Sequence, residues 1–175
     1  MRPTQIRRGI PSDAAALAEF AARTFADAFA ADNRPEDMEA HLAKAYGVPQ
    51  QVQELADPNI LSLLAFQDGS LIAYAQVRRN VPPACVTQAQ AVELQRFYVD
   101  RSAHGSGIAA TLMCAVREAA LDLGGRCLWL GVWERNRRAI AFYSKVGFTD
   151  VGSHDFYVGS DRQTDRVLVA DVRWA

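Results

Sequence analysis

One segment in the middle of the chain constrains its fold more than any other, because a strand-like run leads through a polar stretch and two glycines into a helix-like run. The segment is ELQRFYVDRSAHGSGIAATLM, residues 93–113. Gly105 and Gly107 free the backbone where the predicted helix begins, and the unpaired N–H groups and dipole of a helix start favour an anion. The segment therefore predicts a loop that binds phosphate or pyrophosphate. The alternative is a pair of glycines that only turn the chain.

Two kinds of phosphate-binding loop fit this segment. Residues 105–110 match the dinucleotide fingerprint G-x-G-x-x-A. We reject this match because residues 100–104 separate the strand from the first glycine, and because too little chain follows Gly107 to build two mononucleotide-binding halves. Residues 104–109 instead resemble the coenzyme A loop of the Gcn5-related N-acetyltransferases (GNAT), Q/R-x-x-G-x-G/A, with His104 in place of the usual Gln or Arg.

A second motif supports this interpretation. The segment WLGVWERNRRAIAFYSKVGF, residues 129–148, resembles the next motif of the same family: a strand, an Asn, a helical turn and A-x-x-F-Y-x-K-x-G-F. The matching positions are Asn136, Ala139, Phe142, Tyr143, Lys145, Gly147 and Phe148. With both motifs in order, the chain is identified as a member of the GNAT superfamily. Residues 24–165 further resemble the bacterial spermine/spermidine N-acetyltransferases of the PaiA type, as in TFADAFAADNRPEDMEAHLAKAY and HDFYVGSDRQTD.

The order of apolar runs and breakers predicts one domain over residues 1–175, of the α/β (α+β) class. Strands are expected at 5–9, 60–66, 71–77, 93–100, 127–133, 148–151, 154–158 and 166–172. Helices are expected to start near Ser12, taken as an N-cap, and after residues 35, 49, 107 and 136. We expect a mixed, mostly antiparallel sheet flanked by helices. The resemblance implies that this sheet is splayed at a cofactor wedge.

Composition excludes several function classes. Lys and Arg number 19 against 20 Asp and Glu, for a net charge of -1, so a general nucleic-acid binder is not expected. No apolar run approaches the roughly 20 residues that span a bilayer, and residues 1–10 do not resemble a secretory signal. Cys85, Cys114 and Cys127 lack metal-ligand spacing, so we expect reduced thiols in a cytoplasmic protein that holds no metal. A homodimer is left open.

The family resemblance implies where acetyl-CoA binds: in the wedge between the strand before the glycine loop and the strand after the long helix. The backbone of Phe97, Tyr98 and Val99 is expected to hold the pantetheine arm and the acetyl carbonyl. The pyrophosphate is expected to meet the loop formed by His104, Gly105, Ser106, Gly107, Ile108 and Ala109. Asn136 caps its helix, contacts the cofactor arm, or does both. Lys145 and Arg101 contact CoA phosphates or are solvated charges.

Two residues are candidates for acid–base work. By resemblance, Tyr143 lies beside the CoA sulfur, where its phenol can protonate the leaving thiolate; a core aromatic is the alternative. Holding an alkylamine of pKa about 10.4 neutral at pH 7 costs about 4.6 kcal/mol, so a base is needed. Glu93 is the candidate, with an exposed carboxylate at a strand end as the alternative. Strand alternation predicts that Glu93 shares a face with Gln95, Phe97 and Val99. No cysteine is placed to form an acyl-enzyme, so direct transfer is expected.

Acidic residues suggest a cationic small-molecule acceptor such as spermidine. Glu36 and Asp37 begin the helix that, by resemblance, covers the acceptor side, and Glu134 follows the second wedge strand. Further negative charge comes from Glu39, Asp155, Asp161 and Asp165. Ordinary complementation of a helix dipole also explains residues 36–39. Two other functions remain open: acetylation of another amine (an amino acid, an antibiotic or a protein N-terminus), and a regulator that binds acetyl-CoA without catalysis.

Overall fold

A seven-stranded sheet runs through residues 4–173, the part of the chain that this computed structural model describes. The strand bounds are Thr4–Arg8 (β1), Ile60–Gln67 (β2), Ser70–Arg78 (β3), Ala91–Val99 (β4), Cys127–Trp133 (β5), Thr149–Val158 (β6) and Asp161–Asp171 (β7). Their order is β1-β2-β3-β4-β5-β7-β6, and only the β4–β5 pair is parallel. The predicted mixed, mostly antiparallel sheet is confirmed. The predictions on domain bounds and on a signal segment extend into residues 1–3 and 174–175, which lie outside the described residues.

Helices cover both faces of this sheet. Their bounds are Ala14–Phe29 (α1), Pro35–Tyr46 (α2), Val48–Ala56 (α3), Ile108–Asp122 (α4) and Arg137–Lys145 (α5). Because β2 and β3 are covered on both sides, their side chains are apolar in both directions: Leu63 and Ala75 pack under α4, and Leu64 and Tyr74 pack under α1. None of the helices in residues 4–173 has the length and apolarity that a membrane crossing requires.

The sheet opens between β4 and β5. These two strands pair only over their first residues, from Ala91 opposite Cys127 to Glu93 opposite Trp129. Beyond this point β4 continues to Val99 and β5 to Trp133 without pairing to each other. The splayed wedge that the family resemblance implied is therefore present.

Two local predictions are wrong. The expected strands at 148–151 and 154–158 form one strand, β6, because a bulge between Asp150 and Gly152 absorbs the irregularity without ending the pairing to β7. Ser12 does not cap α1, since it lies inside a short 3₁₀ turn over Pro11–Asp13. Asp13 organises this turn instead, accepting from the Ile10 N–H at 2.9 Å and forming an ion pair with Arg7 at 2.7 Å.

Candidate active site

The opening between β4 and β5 forms a cavity of about 980 Å³. Its walls come from α1, β4, the loop before α4, β5, α5 and the β6–β7 hairpin. Of the residues predicted to bind the cofactor or to act in catalysis, those that line it are Glu93, Phe97, Tyr98, Val99, His104, Gly105, Gly107, Ile108, Ala109, Asn136 and Tyr143. Folding thus brings together two sequence motifs that lie far apart along the chain.

One edge of β4 faces this cavity with unpaired backbone groups. Its opposite edge pairs with β3 as far as Val99, which lies opposite Ala73. Since pairing with β5 ends at Glu93, the N–H and C=O groups of the following residues on that edge are not used within the sheet. Such an edge can pair with an extended, amide-containing chain in the manner of an added strand. Pantetheine is a chain of this kind.

A bulge in β4 changes which side chains share a face. Arg96 lies opposite Gln76 and Leu94 lies opposite Val77, so Gln95 is an extra residue in the ladder. The α4 face therefore carries Leu94, Phe97 and Val99, and the opposite face carries Glu93, Arg96 and Tyr98. The predicted alternation, with Glu93 and Phe97 on one face, is wrong because a bulge shifts the two-residue period by one.

The glycine loop at the mouth of the cavity has the geometry of an anion site. Gly107 precedes the first residue of α4 with φ +89°, and Gly105 has φ +80°, both in the left-handed region that favours glycine. A Cβ added at either position would meet no protein atom within 4 Å, so the space above this backbone is open. The Ala110 and Thr111 N–H groups donate to the Gly107 carbonyl oxygen at 3.1 and 3.2 Å, and the positive end of the α4 dipole lies at this open space. The loop therefore fits a pyrophosphate.

Two side chains of the loop are engaged within the protein. A ring N–H at Nε2 of His104 donates to the Val99 carbonyl oxygen at 3.0 Å, so this ring ties the loop back to the end of β4. The Ser106 hydroxyl donates to the Ala103 carbonyl oxygen at 2.6 Å, and Ser106 does not line the cavity. The loop thus offers its backbone, rather than these side chains, to a ligand.

Helix α5 places Tyr143 at the base of the wedge. Asn136 caps this helix by accepting from the Ala139 N–H at 3.1 Å, which confirms the predicted cap. Tyr143 is buried on the α4 side, with its ring centroid 6.2 Å from that of Phe97 on β4. Burial raises the pKa of the Tyr143 phenol. The phenol is therefore protonated at neutral pH and can donate a hydrogen bond.

The cations at the cavity differ in part from those expected. Lys145 is exposed at the last turn of α5 and does not line the cavity, whereas Arg101 does. Sequence reasoning missed Arg135 and Arg138, which also line it, around the start of α5. The available signal was their position, since Arg138 directly precedes the A-x-x-F-Y motif and Arg135 lies one turn before it.

Glu93 lies at the point where the wedge begins, on the face opposite α4. Its Oε2 accepts hydrogen bonds from Arg78 Nε at 2.5 Å and from Asn80 Nδ2 at 2.8 Å. It is largely buried rather than the exposed carboxylate of the alternative interpretation. Taking up a proton would break its ion pair with Arg78.

The three residues predicted to bind the acceptor lie outside the cavity lining: Glu36, Asp37 and Glu134. Glu36 and Glu134 are exposed. Asp37 is buried because its Oδ1 accepts hydrogen bonds from the backbone N–H and the hydroxyl of Ser160, in the β6–β7 turn, while Arg34 pairs with its Oδ2. Asp37 thus joins the start of α2 to the turn between β6 and β7.

Other acidic and aromatic residues line the half of the cavity away from the glycine loop. Its carboxylates besides Glu93 are Asp27 and Asp32, at the end of α1, and Asp165 on β7. Asp165 is only 7% exposed, and burial raises its pKa to about 6. Aromatic rings complete the walls: Phe25, Phe29, Tyr98, Trp129, Trp133 and Phe156. The sequence counted Asp165 only as one of several late acidic residues, because its burial follows from strand pairing.

Cysteines and metal ligands do not contribute to the site. All three cysteines are free thiols, and none lines the cavity. Within residues 4–173, no group of three or more His, Cys, Asp or Glu side chains is arranged to hold a metal ion.

Comparison with known proteins links this arrangement to a family. The model of the acetyltransferase (GNAT) family matches residues 19–148. An uncharacterized N-acetyltransferase of Lactobacillus delbrueckii subsp. lactis is 34% identical over 87% of this chain and 90% of its own length. An uncharacterized N-acetyltransferase of Mycobacterium tuberculosis is 34% identical over 92% of this chain and 99% of its own length.

Solved structures share the fold at lower identity. The PaiA N-acetyltransferase from Thermoplasma acidophilum, in complex with coenzyme A, superposes with a TM-score of 0.77 at 22% identity, covering 97% of this chain and 99% of that chain. The ribosomal-protein-S18-alanine N-acetyltransferase from Escherichia coli has a TM-score of 0.69 at 17% identity, covering 99% of this chain and 96% of that chain. At these identities the likeness is one of fold.

Proposed function

Because this chain belongs to the acetyltransferase (GNAT) family, we propose that it transfers the acetyl group of acetyl-CoA directly to a primary amine of a polyamine such as spermidine or spermine. Acetyl-CoA-dependent N-acetylation is the activity of the family, and the proposal concerns the acceptor and the residues. One observation carries it: an open β4 edge, a glycine loop and the Tyr143 phenol all line one cavity, with carboxylates in its opposite half.

Acetyl-CoA fits the wedge from the loop inward. The open backbone of the Gly105–Gly107 turn and the start of α4 hold the pyrophosphate. Arg101 and Arg138 also line the cavity, and their positive charges neutralise the phosphates. The free edge of β4 binds the pantetheine amides. This arrangement directs the thioester to the point where Phe97 and Tyr143 meet.

Tyr143 acts as the acid for the leaving thiolate. It lies on the α4 side of the sheet, whereas Glu93 and Asp165 lie on the opposite side. The amine therefore attacks the thioester from the side of Glu93 and Asp165, and the thiolate leaves on the side of the Tyr143 phenol. Since no cysteine lines the cavity, the acetyl group passes to the amine without an acyl-enzyme.

The acceptor half suits a flexible cation with an apolar backbone. Carboxylates at Asp27, Asp32 and Asp165 can attract separate ammonium groups, while rings such as Trp133 and Phe156 contact the methylene segments between them. The resemblance to PaiA-type enzymes and the fold shared with a PaiA N-acetyltransferase support a polyamine. The same fold in an enzyme whose acceptor is a ribosomal protein shows why the acceptor needs a direct test.

The experiment is a panel of amines assayed with acetyl-CoA by the release of free thiol. Spermidine and spermine represent the proposal, propylamine a simple monoamine, and amino acids, aminoglycosides and a peptide N-terminus the other acceptors. Preference for the polyamines in kcat/KM supports the proposal, and preference for another class overturns the polyamine assignment. Tight binding of acetyl-CoA without turnover of any amine would identify a regulator instead.

A further inference from the structure

Four residues that line the cavity each carry a buried polar atom without a hydrogen-bond partner. Among the described residues these atoms are Gln95 Oε1, Trp129 Nε1, His154 Nε2 and Asp165 Oδ1. Buried polar atoms in proteins are nearly always paired, because an unpaired group loses its hydration without compensation. Hydrogen-bonding capacity is therefore left unused in this wall of the cavity.

Asp165 is the charged member of this set. It lies on β7, directly opposite His154 on β6 and opposite Trp133 on β5, and more than nine-tenths of it is buried. Glu93, the other largely buried carboxylate of the cavity, is already bound by Arg78 and Asn80. Of the buried carboxylates that line the cavity within residues 4–173, Asp165 is thus the one with an oxygen that has no hydrogen-bond partner.

Gly131 lets the His154 and Asp165 side chains pack directly against β5. A Cβ added there would lie 2.7 Å from His154 Nε2 and 3.0 Å from Asp165 Oδ2, so a side chain at this position would force both groups to shift. Gly131 lines the cavity in the middle of β5 and has no left-handed φ that would require glycine. Its missing side chain therefore allows Asp165 and His154 to lie together at the cavity wall.

We propose that Asp165, rather than Glu93, binds the ammonium group of the acceptor amine at this wall of the cavity and takes its proton before acetyl transfer. The assignment rests on the proposed function. An ammonium group has three donors and no acceptor, so it pairs with the carboxylate oxygens of Asp165. Glu93 keeps its ion pair with Arg78 throughout, and acts by shaping the start of the wedge.

The proton transfers balance with the overall reaction. The ammonium gives one proton to the Asp165 carboxylate, and the neutral nitrogen forms a bond to the acetyl carbonyl carbon as the carbon–sulfur bond breaks. The leaving thiolate takes the Tyr143 proton, and the nitrogen then loses a second proton that restores the phenol. Asp165 releases its proton to solvent, which is the one proton that acetylation of an ammonium liberates.

The surroundings of Asp165 suit this role. On β6 the facing titratable group is His154, on β5 the facing residues Gly131 and Trp133 carry no charge, and across the cavity Glu93 and Arg78 neutralise each other. Burial alone raises the pKa of Asp165 to about 6. A base with a pKa in this range is ionised at neutral pH and accepts a proton more readily than an ordinary Asp.

The test compares Asp165→Asn with two matched variants over a range of pH, using acetyl-CoA and spermidine. Asp150→Asn is the control, since Asp150 is an exposed carboxylate of the same hairpin that pairs with Arg166 and does not line the cavity. Glu93→Gln tests the alternative base. Calorimetry with acetyl-CoA measures whether each variant keeps its cofactor site.

We expect Asp165→Asn to lower kcat/KM by about 10²–10⁴-fold, as for loss of a general base, with acetyl-CoA affinity kept within a few-fold. The fall of kcat/KM below pH of about 6 should disappear in this variant and persist in Asp150→Asn. Gly131→Ala, which would shift the His154 and Asp165 side chains without removing the carboxylate, should raise the KM for the amine and leave acetyl-CoA binding unchanged.

The assignment would be overturned if Asp165→Asn kept the wild-type kcat/KM and its fall at acidic pH. It would also be overturned if that fall disappeared in Glu93→Gln alone. If the wild type acetylates another amine but not spermidine, the polyamine proposal fails and the same variants test Asp165 with that amine. If the wild type acetylates no amine, the proposed function and this assignment both fail.

Discussion

Asp37 Oδ1 accepts hydrogen bonds from both the backbone N–H and the hydroxyl of Ser160, at 2.8 and 3.0 Å. This contact joins the first turn of α2 to the turn between β6 and β7, more than 120 residues away along the chain. A Cβ added at neighbouring Gly159, which has φ +59°, would lie 2.7 Å from the Asp37 Cα. The close approach holds α2 against the β6–β7 turn, whose strands contribute His154, Phe156, Gln163 and Asp165 to the cavity.

We expect Asp37→Asn to lower the melting temperature and raise the KM for the amine, with little change in acetyl-CoA affinity. The Ser160 backbone N–H and then Arg34 hold the pKa of Asp37 below its usual 3.8. Its stabilising effect is therefore present above pH 3.8 and fades as the pH falls through the lower value in the folded state. Thermal melts across this range measure it, with Glu39→Gln in the same helix as control. A difference independent of pH would contradict the charge-based explanation.

Tyr143→Phe should lower turnover by about 10²–10⁴-fold, the usual loss when a general acid is removed, and leave acetyl-CoA affinity within a few-fold. The reason is that Phe keeps the buried ring packed against Phe97 while removing the proton. Steady-state kinetics and calorimetry measure the two effects. Tyr157→Phe on β6 is the control, because Tyr157 is exposed and lies outside the cavity. Unchanged turnover in Tyr143→Phe would remove its role as the acid.

Gly107→Val should abolish acetyl-CoA binding in a folded protein. A side chain at φ +89° costs about 1–2 kcal/mol and projects into the space above the loop. Gly69→Val, in the β2–β3 turn, is a matched control, since Gly69 has φ +78° and equally open surroundings but does not line the cavity. Calorimetry together with circular dichroism separates binding from folding. Normal binding by Gly107→Val would mean that the pyrophosphate lies elsewhere.

Asp165→Asn should stabilise the protein at alkaline pH. Burial raises the pKa of Asp165 from 3.8 to about 6, so the folded state holds the proton more tightly and loses stability as the pH rises from 3.8 through 6. The cost at higher pH is up to about 3 kcal/mol, at 1.36 kcal/mol per pKa unit. Asp150→Asn should act in the opposite direction, because Arg166 lowers the pKa of Asp150. Denaturant unfolding at pH 8 and pH 4 measures the free energy of unfolding of both variants. If Asp165→Asn were less stable than the wild type at pH 8, the Asp165 carboxylate could not be buried without a partner.

The KM for spermidine should rise with ionic strength, and the KM for propylamine should rise much less. Asp27 and Asp32 are exposed at the cavity, and attraction between such charges is screened over about 10 Å at 0.1 M salt. Asp32→Asn should mimic high salt for spermidine, since the amide nearly keeps the shape of the carboxylate. Equal salt responses for the two amines would leave the polyamine assignment resting on resemblance alone.

Local sequence signals predicted the local structure around the glycine loop and α5. The bounds of β5, the cap at Asn136 and the glycine loop follow from short-range patterns, because helix starts and positive φ angles depend on a few neighbouring residues. Charge alone did not predict which carboxylates line the cavity. Glu36, Asp37 and Glu134 were chosen by charge, yet all three lie outside the cavity lining and Asp37 binds Ser160.

The sequence by itself determined the family, the order of elements and the glycine turn before α4, since each depends on contiguous residues. Only the tertiary structure decided which carboxylates face the cavity. The bulge at Gln95 shifts the β4 period by one residue and turns Glu93 toward Arg78, and pairing of β5, β6 and β7 buries Asp165 beside His154 and Gly131. Burial and partnership set the charge of a carboxyl group, and both arise from contacts between residues distant in the chain.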